Sequence, residues 1–311
     1  MSSHSNAIPE SGLGAVAAAP ATIPATRLLY WSVRRELWEY RTIYIVPLVA
    51  AGLFLFGFLI SMSHRSAQLR EMAPMETMKA MPQHGAIAAP YEMSAGFLML
   101  TGMIIGAFYC LGALYNERRD RSILFWKSLP VSDFVTVLSK ASVPLVILPL
   151  VVWSTTVVLQ IAMLMLNSAA LAARGQNVSM LWTQLSPIAM WLMLLYHLIA
   201  VHSLSHAPFY GWMLLVSSWS RRAAFLWAVL PVVAVGALEA LIFNSSHFFH
   251  LLGYQLSGDE ATVAATNWPI DPMTHVTPGH FLLSPGLWAG LIFTAICLAL
   301  AVRVRRYRSP L

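Results

Sequence analysis

The chain has 311 residues, of which 58% are hydrophobic and only 10% are charged. Soluble domains carry roughly 25% charged residues, so this composition excludes a water-soluble globular protein and indicates an integral membrane protein. The formal net charge of +6 comes from basic residues placed between the apolar segments, which is a signature of membrane topology and argues against nucleic-acid binding. Cys110 and Cys297 lie within apolar segments, where we expect packing roles and no disulfide.

The first segment of the chain differs from the rest. Residues 1–26 are rich in Ala, Ser, Pro and Gly and contain no Lys or Arg, which predicts a disordered tail and does not fit a signal peptide. The following segment, 27–40, places Leu29, Val33 and Leu37 at helical spacing among charged residues. It predicts an amphipathic helix at the membrane interface, with an ordinary juxtamembrane flank as the alternative.

Six uncharged apolar segments follow, each close to the roughly 20 residues that a helix needs to cross a bilayer. They predict an all-α protein with six transmembrane helices at about 43–62, 95–115, 143–166, 187–219, 223–243 and 285–302. The fourth segment contains Pro208, which predicts a break or kink at about 206–209 because proline removes a backbone donor.

The basic residues define the orientation. Fifteen of the 19 Lys and Arg residues lie before the first span, between the second and third, between the fourth and fifth, or after the sixth. Positive charge is retained on the cytoplasmic side. We therefore expect both termini in the cytoplasm, which also requires an even number of spans.

The segment that joins the second and third spans, 116–133, combines high charge with large apolar residues. Ile123, Leu124, Phe125, Trp126 and Leu129 lie beside a run of basic and acidic side chains. A solvated loop does not need five large apolar residues, so this segment should bury one face against headgroups, neighbouring spans or another protein. We expect it to continue the second span without a break and to turn at Pro130, with Ser132 or Asp133 capping the next helix.

At this point the sequence resembles a known family, the type-2 ABC exporter permeases. These are six-span subunits that work with a separate ATPase. The resemblance is carried by ERRDRSILFWKSLPVSD at 117–133 with VLSK at 137–140, and by APFYGWMLLVSSWSRRAAFLWAVLP at 207–231. It extends from about Arg27 to Tyr307, so that residues 27–311 form one permease domain and residues 1–26 a cytoplasmic tail.

The resemblance implies a bacterial inner-membrane subunit that exports a substrate as a dimer, together with two ATPase copies. In this family the segment between spans two and three is a coupling helix that docks on the ATPase. The residues so implied are Glu117, Arg118, Arg119, Asp120, Arg121, Phe125, Trp126 and Lys127. The printed sequence has no G-x-x-x-x-G-K-[ST] phosphate loop, so ATP and Mg²⁺ are expected to bind the partner, and this chain is not expected to be an enzyme by itself.

Glu239 is the acidic residue that lies well inside a predicted span. Intramembrane carboxylates are candidates for substrate or proton sites. Because Glu239 is only a few residues from the outer end of its span, a hydrogen-bonded glutamate near the interface is the alternative interpretation.

Two further patterns suggest metal binding. His202 and His206 stand four residues apart in the fourth span, the spacing of a metal pair, although bonding to backbone carbonyls near Pro208 is the alternative. Methionines recur every three residues in the first outer loop and are followed by a histidine, a pattern that suits Cu(I); they are Met72, Met75, Met78, Met81 and His84. The alternative functions are therefore a metal-handling membrane protein, or a membrane sensor that uses the same ATPase without transport.

Overall fold

The computed structural model describes residues 24–71, 83–128, 131–257 and 282–307. These residues form helices, with no strand among them. Along the chain they are α1 (Ala25–Glu39), α2 (Thr42–Glu71), α3 (Gln83–Ala113), α4 (Tyr115–Arg119), α5 (Ile123–Ser128), α6 (Asp133–Ser142), α7 (Leu148–Ala173), α8 (Ser179–Leu185), α9 (Pro187–Tyr196), α10 (Ser203–Trp219), α11 (Ala224–Phe243), α12 (His247–Ser257) and α13 (Pro285–Tyr307).

Among the described residues, six helical segments are long and apolar enough to cross a membrane, in agreement with the predicted number of spans. They are Thr42–Ser63, Ile87–Arg119, Asp133–Ala173, Leu181–Trp219, Ala224–Phe243 and Pro285–Tyr307. The second and third segments are longer than predicted because they continue into charged sequence. The predicted tail lies almost wholly outside the described residues, and α1 begins within its last residues, at Ala25.

The bundle is built around α10, which makes its most extensive contacts with α13 and also packs on α3. The close approach of α10 to α13 depends on Gly211, since a Cβ there would lie 3.3 Å from the Cα of Thr294. A second layer is formed by α2, α3 and α7, whose buried residues include Tyr91, Leu98 and Met163. In contrast, α11 is the least buried span and presents apolar side chains on most of its surface.

The fourth span is irregular, but not where the sequence predicted. Residues His197–His202 form a π-helical turn in which the backbone N–H of Ser203 donates to the carbonyl of Leu198, five residues earlier. Pro208 lies inside α10, which continues without interruption to Trp219. Of the break or kink predicted at 206–209, the break is therefore wrong. Pro208 is partly buried against α13, since a Cβ on Gly290 would lie 2.9 Å from its ring. Packed membrane helices tolerate proline in such settings.

A second π-helical turn, Val143–Ile147, joins α6 to α7 in the third span. The predicted cap of this span is confirmed, since the Oγ of Ser132 accepts a hydrogen bond from the backbone N–H of Val135 at 3.2 Å. The third span thus runs from a capped N-terminus at Asp133 through a π turn to Ala173.

The long segment after α11 begins with a helix that the sequence analysis did not predict. Helix α12 follows a turn at Asn244 (φ 45°) and packs back against α10, α11 and α13. The side-chain amide of Gln255 donates to the backbone carbonyl of Gly286 at 2.8 Å. The backbone carbonyl of Gln255 accepts from the Oγ of Ser205 at 2.8 Å. The chain therefore turns back onto the bundle after the fifth span.

Candidate functional site at the charged end of the bundle

One end of the bundle, here called the charged end, gathers α1, α4, α5, α6 and the last turns of α13. At this end α3 gives way to α4, and the Oγ of Ser217 from α10 accepts from the backbone N–H groups of Leu114 and Tyr115 at 3.1 and 2.9 Å. The same Oγ donates to the carbonyl of Leu111 at 2.9 Å. Ser217 thus satisfies the backbone groups that the change of helix exposes, and the sequence analysis did not single it out.

The segment between the second and third spans turns earlier than predicted. After α4 the chain reverses at residues 120–122, where Arg121 has a φ of 57°, and α5 begins at Ile123. The prediction of an unbroken helix as far as Pro130 is therefore wrong, and Pro130 itself lies outside the described residues. Arg119 and Asp120 form an exposed ion pair of 3.0 Å just before the turn.

Two of the residues proposed to contact an ATPase are buried inside this chain. The side chains of Glu117 and Arg118 are each only 2% exposed, and Arg118 donates to the carbonyl of Ser220 at the end of α10. They therefore face the interior of the protein. Ser220 precedes a turn in which Ala223 has a φ of 49°, so Arg118 holds the second span against the connection between the fourth and fifth.

Glu117 belongs to a buried ionic cluster of six side chains. At its centre, the Nζ of Lys140 lies 2.9 and 3.1 Å from the two carboxylate oxygens of Glu36 and 3.0 Å from Oε1 of Glu117. Lys140 and Glu36 are both fully buried. Tyr109 adds a hydrogen bond, its hydroxyl donating to Oε2 of Glu36 at 2.9 Å.

Three further side chains complete the buried ionic cluster. Arg305 of α13 pairs through Nη1 with Glu117 and through Nε with Oδ1 of Asp133, the latter at 3.0 Å. Arg35 of α1 lies 2.5 Å from Oε1 of Glu36 and 3.4 Å from Oε1 of Glu117. The cluster thus joins α1, α4, α6 and α13 by charge pairing.

The formal charges of the cluster balance. Its acidic members are Glu36, Glu117 and Asp133, and its basic members are Arg35, Lys140 and Arg305. Burial alone would raise the pKa of Glu36, but Lys140 and then Arg35 lower it, and the resulting pKa is below the usual value. Glu36 therefore stays ionised, and every charged side chain of the cluster has at least one oppositely charged partner within it.

Helix α5 is fixed to this cluster, although it is only six residues long. The guanidinium of Arg35 stacks over the ring of Trp126 at 4.1 Å, and the side chain of Ile123 is buried. The Nζ of Lys127 lies 3.4 Å from the carbonyl of Arg306 in α13. Movement of α5 is therefore linked through Arg35 and Lys127 to both α1 and α13.

The outer surface of α5 is apolar and basic. Leu124 and Phe125 are each 59% exposed, and Phe125 packs edge-on against Trp126 with ring centroids 4.9 Å apart. Arg119, Arg121 and Lys127 lie within six residues of them along the chain and are also exposed. We call Leu124, Phe125 and these three basic residues the α5 surface. It combines exposed apolar groups with exposed basic groups.

Glu239 lies near the end of α11 and interacts with the start of α12. Its carboxylate accepts from the Oγ of Ser245 at 2.8 Å and from the backbone N–H groups of His247 and Phe248 at 2.9 and 2.8 Å. These N–H groups belong to the first turn of α12, which has no intrahelical acceptors for them. The geometry thus favours the alternative interpretation, a hydrogen-bonded glutamate that caps a helix.

We expect Glu239→Gln to lower the melting temperature of the purified protein slightly and to increase hydrogen exchange in the first turn of α12. The amide keeps one acceptor oxygen but loses the charge that favours a helix N-terminus. Asp120→Asn, which removes an exposed carboxylate elsewhere, serves as the control. Unchanged exchange in α12 would contradict a capping role and return Glu239 to the candidates for a substrate or proton site.

The histidines of the fourth span do not converge on a metal. The rings of His202 and His206 are stacked, with centroids 4.3 Å apart and planes 32° from parallel, and Nδ1 of His206 lies 2.8 Å from the carbonyl of His202. Because a nitrogen lone pair lies in the plane of its ring, rings stacked in this way do not direct their nitrogens at one ion. Within the described ranges, no group of three or more His, Cys, Asp or Glu side chains is arranged to hold a metal.

His202 also lines a small cavity of about 10 Å³ between the second, third and fourth spans, together with Met99, Gly102 and Tyr210. Leu198 and Pro144, one from each π-helical turn, also line the cavity. The remaining metal candidates, Met72, Met75, Met78, Met81 and the side chain of His84, lie outside the described residues.

Comparison with known proteins found no matching family model, no matching curated protein and no matching solved structure. The class that the fold defines is a helical membrane protein with six spans. The charged end of the bundle is the candidate functional site.

Proposed function

We propose that this chain is the permease subunit of an ATP-driven ABC exporter of the bacterial inner membrane. Two copies would form the transport pathway and open it alternately to either side, driven by two separate ATPase subunits that bind ATP and Mg²⁺. Both termini, and therefore the charged end, would face the cytoplasm, in line with the positions of the basic residues.

The observation that carries this proposal is the α5 surface. Leu124 and Phe125 are exposed beyond the spans on a short helix that is anchored by Ile123 and Trp126. An apolar patch rimmed by basic groups is the composition expected of a protein contact, with aromatic residues as anchors and charges around them. The α5 surface lies within the 117–133 sequence that carries the resemblance to the exporter permeases.

The buried ionic cluster gives the α5 surface a route to the spans. Arg35 connects Trp126 to Glu36 and Glu117, and Lys140 and Arg305 continue the connection into the third and sixth spans. A partner that displaced α5 would therefore displace these spans as well, because breaking the buried pairs is costly. This is the property that coupling ATP hydrolysis to a transport pathway requires.

Two of the residues implied by the resemblance take a different role in this proposal. Glu117 and Arg118 are buried and would position the docking segment from within. Contact with the ATPase would be made by Phe125, Arg119, Arg121, Lys127 and the edge of Trp126, with Leu124 added because of its exposure.

The proposal is tested by purifying the tagged full-length chain in a mild detergent with each ABC ATPase encoded near it. We expect one ATPase to co-purify in equal amounts, and the complex to hydrolyse ATP faster than the ATPase alone. Failure of every candidate to bind the folded chain would contradict the permease assignment. Binding and hydrolysis without movement of any substrate into vesicles would instead favour a membrane sensor.

A further inference from the structure

Helix α1 has two distinct faces. Successive residues of an α-helix are rotated by about 100°, so Arg27, Trp31, Arg34 and Trp38 lie on one side within about 60° of each other. We call these four residues the Arg–Trp stripe. Glu36, which enters the buried ionic cluster, lies on the opposite side.

The side of α1 that carries Glu36 packs on the protein, together with Tyr40, which follows the helix. Leu37 and Tyr40 contact a buried group of residues that includes Ile43 and Tyr109. The Arg–Trp stripe is left on the surface, where Trp31 and Trp38 are 49% and 65% exposed. The exposed face of α1 therefore combines aromatic rings with basic groups, a composition found where helices meet lipid headgroups.

The stripe has the chemistry of a phosphate site. The guanidinium of Arg34 stacks against the rings of both Trp31 and Trp38, at 5.2 and 4.7 Å from their centroids. Stacking holds the guanidinium in place while its in-plane N–H groups remain available to an anion. Among the described residues, no carboxylate forms an ion pair with Arg27 or Arg34.

The position of α1 indicates where the anion comes from. Only Tyr40 and Arg41 separate α1 from the helix of the first span. We therefore expect Trp38 at the level of the lipid headgroups. Tryptophan is enriched at this level, and anionic lipids attract basic residues there. Neutral lipids offer no net charge to balance two arginines that lack acidic partners.

We propose that the Arg–Trp stripe binds the phosphates of anionic phospholipid headgroups. The headgroups hold α1 from outside while Glu36 holds it from inside, so that anionic lipid stabilises the charged end of the bundle. This inference concerns the lipid preference of the chain and does not depend on the proposed transport function.

The experiment uses the full-length chain in a neutral detergent, titrated with phosphatidylglycerol or with phosphatidylcholine of the same acyl chains. We expect phosphatidylglycerol to raise the melting temperature at much lower concentrations than phosphatidylcholine, and inorganic phosphate to have no such effect. The variant Arg27→Gln/Arg34→Gln should need about thirtyfold more phosphatidylglycerol for the same rise in melting temperature. Each basic residue near an anionic surface contributes about fivefold to the affinity for that surface.

Arg221→Gln/Arg222→Gln removes the same charge from two exposed arginines between the fourth and fifth spans, and it should keep the response of the natural protein. Arg27→Lys/Arg34→Lys should keep most of the response, which guards against a folding defect of the glutamine variant. Equal stabilisation by the two lipids, or a full phosphatidylglycerol response in the glutamine variant, would overturn the proposal. Either result leaves the ATPase co-purification experiment unaffected.

Discussion

Lys140→Met is expected to destabilise the folded chain by about 3–5 kcal/mol, the typical effect of removing one partner from a buried ion pair. Lys140 is fully buried and contacts both Glu36 and Glu117, so its loss leaves two carboxylates with reduced compensation. Methionine has nearly the same length and keeps the packing of the aliphatic chain. The effect therefore measures the charge and not a cavity.

Chemical unfolding of the purified protein in detergent, monitored by circular dichroism, gives the measurement. Lys127→Met makes the same substitution at an exposed position of α5 and should change the stability by less than about 1 kcal/mol. Adding Glu36→Gln to Lys140→Met should recover part of the loss, because residues in one charge network are energetically coupled. Equal stability of the Lys140 and Lys127 variants would show that the cluster contributes little to the fold.

The number of spans could be predicted from the sequence because the bilayer imposes a simple rule on length and polarity. The six apolar segments coincide with the six helices that are able to cross a membrane. The start of the third span was also predicted, since Ser132 caps it through a local hydrogen bond to Val135. Local signals of this kind need no knowledge of the tertiary structure.

The buried ionic cluster could not be predicted in the same way. Lys140 meets Glu36 across 104 residues and Arg305 meets Glu117 across 188, and no local pattern distinguishes these side chains from the solvated charges beside them. Glu117 and Arg119 stand two residues apart, yet one is buried and the other exposed. The available sequence signal was that these charged residues lie close to the beginnings or ends of apolar segments.

The irregular parts of the spans were predicted least well. Proline suggested a break or kink at Pro208, but the backbone departs from α-helical geometry six to eleven residues earlier, at His197–His202. A π-helical turn needs no particular residue type, whereas a proline can be accommodated when neighbouring helices enclose it. Helix α12 was missed because its stability depends on tertiary contacts, including a cap from Glu239 in the preceding span.

Leu124→Asp/Phe125→Asp is expected to weaken the binding of the partner ATPase by at least about thirtyfold, or 2 kcal/mol, as for central apolar residues of protein interfaces. Both side chains are 59% exposed, so their replacement removes little burial within this chain and should leave its stability nearly unchanged. The expected result is therefore a folded protein that no longer retains the ATPase.

The dissociation constant is measured by surface plasmon resonance, with the purified ATPase in solution and this chain immobilised. Tyr30→Asp provides the matched control, because Tyr30 is also 59% exposed but lies on α1.

A second comparison, Trp126→Leu, removes the stacking partner of Arg35 while leaving Leu124 and Phe125 in place. Because the edge of Trp126 belongs to the proposed contact, this variant should bind the ATPase somewhat more weakly. If α5 must be held by the ionic cluster in order to act, the bound complex, measured at saturating ATPase, should also lose part of the stimulation of ATP hydrolysis. Full binding by the double aspartate variant would place the docking site elsewhere on the charged end, and Phe134, exposed at the start of α6, would be the next residue to replace.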